Sequence, residues 1–367
     1  VDREIIIMAP IPSNGTIAIT GAAGFIGGWC VKMALEKGFT VKACVRNKDD
    51  PNRVAFMKKM DAYASGRLTI HSADLDNVGC FDSIFHGCNG VLHVSHVSKY
   101  EDFDYVKKTC DHIINSINKA KTITRVIVTS SIAAVISEED LQELVKRPVL
   151  YEDRYPDETN PRRNAKRQGY SMAKNIAMNA FSEAAGESQG QWDAITICPA
   201  DNVGPILSKH QKDMGPWQAH IKNMLKGKYD QNGVYRPWMT VDVRDDAICH
   251  VELLSSVAVK NGERYIAWST DTVNVEYICK RIDYVCPQLG HKYTEPREVH
   301  PEKLQKREAE FRRIWAGCEL RNDRIRSIIP ITFRKFDDSL RDCVESMINV
   351  AGIQPIQREH FVRGAKL

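Results

Sequence analysis

Short apolar runs alternate through the first half of the chain with stretches whose apolar positions recur every three to four residues. TIAIT (16–20), TVKACV (40–45), RLTIHSAD (67–74), GVLHVSH (90–96), RVIVTSS (125–131) and AITICPA (194–200) have the compact, β-branched character of buried strands. Between them the spacing predicts helices over 26–37, 51–64, 103–120 and 166–186. This alternation places parallel strands in one sheet with helices on both faces, so the expected fold is α/β, a doubly wound parallel sheet of Rossmann type. After Pro205 the pattern breaks into Pro, Gly and Trp punctuation. WMTVDV (238–243), a helix over 245–258 and RYIAWS (264–269) then read as the chain returning to the sheet. Residues 301–315 read as a solvated helix with Leu304, Phe311 and Ile314 on one side.

Composition narrows the partners. At 367 residues and 43% apolar, the chain can bury a substantial core in one large or two interlocked domains. Lys plus Arg number 51 against 47 Asp plus Glu, a dispersed net charge of +4 that argues against a nucleic-acid partner. The eleven cysteines form no C-x-x-C pair or zinc pattern; they read as free thiols of a reducing cytosol, and no metal is expected. No apolar stretch reaches the roughly 20 residues of a membrane span. The start VDREIIIMAP lacks the plan of a signal peptide, and the expected location is cytoplasmic. Met8-Ala9-Pro10 is one candidate for a native start, which would make Val1–Ile7 an added stretch; the alternative is that these residues are native too.

The chemistry begins at TGAAGFIGGW, residues 20–29. Gly21, Gly24 and Gly27 form a G-x-x-G-x-x-G turn that brings N–H groups at a helix start close to a pyrophosphate. Alone, they could equally be a plain strand-to-helix turn. The end of the next strand is a sharper test: NAD binders place an acid there, about 20 residues beyond the glycines, whereas an Arg favours the 2′-phosphate of NADP. Val45 stands where the acid would be, and Arg46 follows with Lys48 and Arg53 nearby. A guanidinium can bond a phosphate bidentately, so NADP(H) is favoured. For Lys48 and Arg53 singly, a solvated basic loop is the plainer reading. Further on, Tyr170 and Lys174 of GYSMAK share one helix face, a phenol and an ammonium expected to lower its pKa. Ser131, at the end of RVIVTSS, offers a hydroxyl to the same carbonyl oxygen, while Ser130 reads as a turn cap.

This combination resembles the extended short-chain dehydrogenases/reductases, in the branch of dihydroflavonol reductase, cinnamoyl-CoA reductase and fungal or yeast aldehyde and ketone reductases. The resemblance spans roughly residues 14 to 350 and is carried by TGAAGFIG, CVRN, ADLDN, GVLHVSH, VTSSIAAV, YSMAK, ICPADNVGP and VDVRDDAICH. It implies that Gly21, Gly24, Phe25, Ile26 and Gly27 line the pyrophosphate and Arg46 takes the 2′-phosphate. Asp74 and Leu75 would touch adenine, a helix N-cap being the plainer role for Asp74. Val94 and Ser95 would pass beneath the nicotinamide ribose, and Pro199 and Val203 would hold the carboxamide. Tyr170 is the implied proton donor, Lys174 the ribose ligand that tunes it, and Ser131 the group orienting the substrate. His93 and His96 read as packing or pocket walls.

The implied domains are an NADP-binding Rossmann domain over 1–203, with 236–270 returning to it, and a smaller, interleaved substrate-binding domain over 204–235 and 271–367. The implied activity is NADPH-dependent reduction of a small to medium carbonyl compound by a monomer or homodimer. Two departures narrow the branch. Ile136 stands where dihydroflavonol reductases carry an Asn for flavonoid hydroxyls, and Arg167-Gln168-Gly169 replaces the Lys-Asn-Trp of cinnamoyl-CoA reductases. Some of Asp201, Trp217, Arg236 and Trp238 are expected to touch substrate, although a Trp at a domain junction is more often core. Competing readings are an NAD-dependent epimerase or dehydratase of a sugar nucleotide and a non-catalytic NADP-binding redox sensor. Val45 and Ile132-Ala133 argue against the first, and the presence of Tyr170 and Lys174 against the second.

Overall fold

The computed structural model describes residues 11–136, 141–153, 165–226, 237–269, 272–274, 281–289, 309–310 and 313–355; most of 301–315 and Arg236 fall outside them. Strands β1 (Thr16–Thr20), β2 (Thr40–Val45), β3 (Leu68–Ser72), β4 (Gly90–His93), β5 (Arg125–Thr129), β7 (Asp193–Pro199) and β10 (Arg264–Ala267) form one sheet in the order β10-β7-β5-β4-β1-β2-β3. Every pairing in it is parallel. The short strands β6 (Val149–Leu150) and β12 (Glu319–Leu320) pair with each other, and β8 (Asp201–Val203), β9 (Pro237–Asp242) and β11 (Thr272–Asn274) form a third sheet.

The α-helices include α1 (Phe25–Glu36), α2 (Pro51–Lys58), α3 (Asp61–Ala64), α4 (Asp82–Phe85), α5 (Phe103–Ala120), α6 (Leu141–Lys146), α7 (Ala165–Glu187), α8 (Pro216–Leu225), α9 (Val243–Ser255), α10 (Asp323–Ile328) and α11 (Phe336–Asn349). The alternation of side chains along each strand divides the core in two. Ile17, Ile19, Leu92, Ile127 and Ile195 pack with Trp29 and Val31 of α1 and Val251 and Leu254 of α9. Ala18, Val91, Val126, Val128 and Ala194 face the other way, onto Ile113 and Ile117 of α5 and Phe181 of α7. Both faces are covered, as a parallel sheet requires. Arg125 ties β5 to its neighbours: buried with 1% of its surface exposed, it grips Asp193 of β7 through two bonds of 2.9 and 2.8 Å and donates to the Leu253 carbonyl of α9.

Two elements differ from the sequence expectation. The helix predicted over 51–64 is two helices, because Met60 is extended (ψ 135°) and caps the second. Of the returning segment, only β10 enters the central sheet. β9 pairs parallel with β8 and antiparallel with β11 instead. An apolar strand pattern specifies burial but not which edge it will pair with.

Candidate active site

The strand order reverses between β1 and β4, and their C-terminal ends open a crevice at that switch point. A cleft of about 550 Å³ there is lined by the glycine turn, Arg46, Val94, Ser95, Ser131, Tyr170, Pro199 and Asp201. A second space of about 330 Å³ continues past Arg46 to Asp74 and Leu75. Two glycines of the turn leave no room for a side chain. Gly21 has φ +68°, and a Cβ on it would sit 2.9 Å from the Ser95 backbone; a Cβ on Gly27 would land on the Gly21 carbonyl oxygen. Gly24 caps α1 with no side-chain bond and no acid follows in the first turn, which leaves the leading N–H groups to an anion. Thr20 fixes the opposite lip, accepting from Ser95 N (3.1 Å) and Ser95 Oγ (2.8 Å) and meeting His93 Nδ1 at 3.0 Å.

Deeper in, Ser131 of the turn after β5 meets two residues of α7. The Tyr170 phenol hydrogen-bonds Ser131. Lys174, one turn along α7, lies under the Tyr170 ring with Nζ 5.7 Å from its centre and donates to the Thr129 carbonyl at 3.0 Å. The turn after β5 is tied directly to α7, since Ser171 Oγ donates to the Ala133 carbonyl at 2.6 Å. Burial pushes the Tyr170 phenol up to about 12, against a smaller lowering by the Ser131 bond. The expectation that Lys174 lowers it is not met: desolvation dominates, and the Lys174 ammonium bonds the Thr129 carbonyl instead. Burial also brings Lys174 down to about 8. Ser131, not Ser130, is the turn cap, its Oγ accepting from Ala133 N at 3.2 Å; Ser130 is buried against the Cys198 thiol.

Both histidines are walls. Burial, assisted by the charge of Lys174, takes His93 and His96 down to about 3, so both are neutral at physiological pH. His93 stacks on Phe181 with ring centres 5.1 Å apart, and His96 bonds the Tyr100 hydroxyl. Tyr100, unremarked in the sequence, stands edge-on to Tyr170 at 5.1 Å; a lone Tyr in a polar loop gives no local signal. At the far end, Arg46 is 85% exposed and its Nε lies 3.3 Å from Asp74 Oδ2. Asp74 caps no helix: its Oδ1 accepts from Asp76 N in a local turn, and α4 is capped by Phe81.

The predicted residues do not all line the cleft. Val203 is 1% exposed and lies in the core, as does Ile136, while Trp217 is fully buried edge-on to Phe336. Asp201 does line it, and the Trp238 side chain falls outside the described residues. The second half of the chain also reaches the glycine turn from behind. His210 Nε2 donates to the Ala23 carbonyl at 2.7 Å and the fully buried Gln211 donates to the Gly24 carbonyl at 2.9 Å. Trp29 Nε1 donates to the Pro205 carbonyl at 2.7 Å.

Over residues 17–267 the sequence matches the NAD dependent epimerase/dehydratase family. The dihydroflavonol 4-reductase of Callistephus chinensis is 31% identical over 286 residues, 76% of this chain and 72% of that protein. Cinnamoyl-CoA reductase CAD2 of Medicago truncatula is 31% identical over 248 residues, 65% of this chain and 72% of that protein. Gre2 of Candida albicans, solved in complex with NADPH, has a likeness of fold: TM-score 0.72 at 19% identity, covering 93% of this chain and 99% of that one.

Proposed function

Because the chain belongs to the NAD dependent epimerase/dehydratase family, we propose that it is an NADPH-dependent reductase of ketones or aldehydes. The observation that carries this reading is the meeting of Tyr170, Ser131 and Lys174 beside a glycine turn with room for phosphates.

The residues fit NADPH. The turn over Gly21, Gly24, Phe25, Ile26 and Gly27 offers uncapped N–H groups to the pyrophosphate. β2 ends on Val45 and not on an acid, and Arg46 is free to take the 2′-phosphate once it leaves Asp74. Asp74 and Leu75 would flank adenine, Val94 and Ser95 the nicotinamide ribose, and Pro199 the carboxamide, with Val203 supporting from the core.

When bound, NADPH supplies the hydride. Tyr170 keeps its proton well beyond neutral pH and donates it to the alkoxide oxygen that develops on the substrate. Ser131, already bonded to that phenol, holds the same oxygen. Lys174 keeps one bond to the Thr129 carbonyl and has two further N–H groups for the ribose hydroxyls. We assign residues 1–203 and 236–270 to cofactor binding and the remainder to substrate. The free thiols among the described residues support action in a reducing compartment such as the cytoplasm. The test is a panel of carbonyl compounds with NADPH and NADH in parallel, read by nicotinamide absorbance. Turnover preferring NADPH is the expected result, and no turnover across the panel would refute the reading.

A further inference from the structure

The substrate side of the cleft carries a feature that the reductase chemistry leaves unused. Gln218, on α8, has no exposed surface yet lines the cleft, and its Oε1 is buried without a hydrogen-bond partner. Its orientation is fixed by chemistry: the other end of the amide lies 3.3 Å from the Asn202 backbone carbonyl, which can only accept, so nitrogen must face it. The oxygen is thereby turned to Gly215, itself part of the cleft wall, where it lies 2.7 Å from the place a Cβ would occupy. Asn202 repeats the arrangement. Its Nδ2 donates to the Ala200 carbonyl at 3.3 Å, and its Oδ1 is buried without a partner in the same wall. Asp201, next to Asn202 in sequence, adds a carboxylate to the same wall, close enough to raise the Tyr170 pKa.

A buried carbonyl oxygen left unbonded is costly, and two in one wall favour a ligand that can donate to them. We infer that Gln218, with Asn202, selects carbonyl substrates that carry a hydrogen-bond donor, a hydroxyl or an N–H, and discriminates against analogues without one. The inference rests on the reductase reading and adds the substrate class to it. A methyl ether of the same skeleton can occupy the site but leaves the amide oxygen unpaired, and a site built on such a bond penalises that analogue heavily.

The experiment compares kcat/KM for matched pairs: 1-, 3- and 4-hydroxy-2-butanone and 3- and 4-hydroxybenzaldehyde, each against its methyl ether, with wild type and Gln218→Met. At least one hydroxyl member should exceed its ether by about tenfold or more in wild type, as one hydrogen bond of this kind provides. In Gln218→Met that ratio should fall to within about twofold, since the thioether cannot accept comparably. Ratios near one for every pair in wild type would overturn the inference with no variant needed, while turnover of ethers and alcohols alike leaves the reductase reading standing. A wild-type ratio that survives in Gln218→Met would also overturn it, because the Gln218 amide would then not be its source. Failure of all ten compounds to react would instead strike the reductase reading itself.

Discussion

At the glycine turn, Gly21 and Gly27 leave no space for a Cβ, and what faces the cleft is backbone N–H. Across the cleft, Asp201, Asn202 and Gln218 make much of the wall with side chains, and the amide oxygens of the last two are buried without partners. The two sides hold their ligands by different means. A backbone surface tolerates few sequences and fits one constant partner, whereas a side-chain surface can be rewritten residue by residue to suit a different substrate. Chemistry sits on the seam between them, where α7 brings Tyr170 and Lys174 to Ser131 at the end of β5.

The separation can be broken experimentally. Tyr170→Phe should lower kcat by about 10²- to 10⁴-fold, the range of a general acid, while the NADPH dissociation constant from fluorescence titration changes by less than about threefold. Joint loss of both would mean that the seam is not distinct from the nucleotide side. Gly27→Val should weaken NADPH about 100-fold or more by displacing the Gly21 carbonyl against which the turn closes, which calorimetric titration of the folded variant would measure. Arg46→Ala should erode the preference for NADPH over NADH by roughly tenfold, seen as a ratio of kcat/KM values.

Smaller effects concern pH. Lys174, brought down to about 8 by burial, loses its charge as pH rises through that value. Reduction should therefore fall to about half near pH 8 and continue downward, and a flat kcat/KM profile to pH 10 would exclude a role for the ammonium. His93 acts on stability in acid. Unfolded, its imidazole binds a proton near pH 6.5; folded, it resists until about 3, so stability is lost as pH falls between these values. His93→Gln should show a shallower fall in Tm over that window, by a few degrees at most.

Much of the nucleotide side was legible because local rules govern it. Helix α5 follows its apolar period through Val106, Cys110, Ile113 and Ile117, and the glycine spacing announces the turn. The serine pair misled because either hydroxyl can cap a turn, and the choice is made by β5 ending at Thr129 with Ser131 turned toward Ala133 N. Strand β9 shows the same limit: its pattern declares burial, yet its partners are set by β8, which follows β7 after one residue. Gln211 and Gln218 are polar residues after Pro205, fully buried, the first bonded to Gly24 far back in the sequence and the second to Asn202 across the intervening loop. Periodicity carries no information about such long-range amide bonds.

The hold of His210 and Gln211 on the carbonyls of Ala23 and Gly24 means that the phosphate turn is finished by residues encoded almost two hundred positions later. A fragment ending after β7 would retain all three glycines and lack the clamp behind them. Recombining this nucleotide half with another enzyme's substrate half must therefore carry the 205–211 strap across with it, or the graft inherits a loose grip on its cofactor.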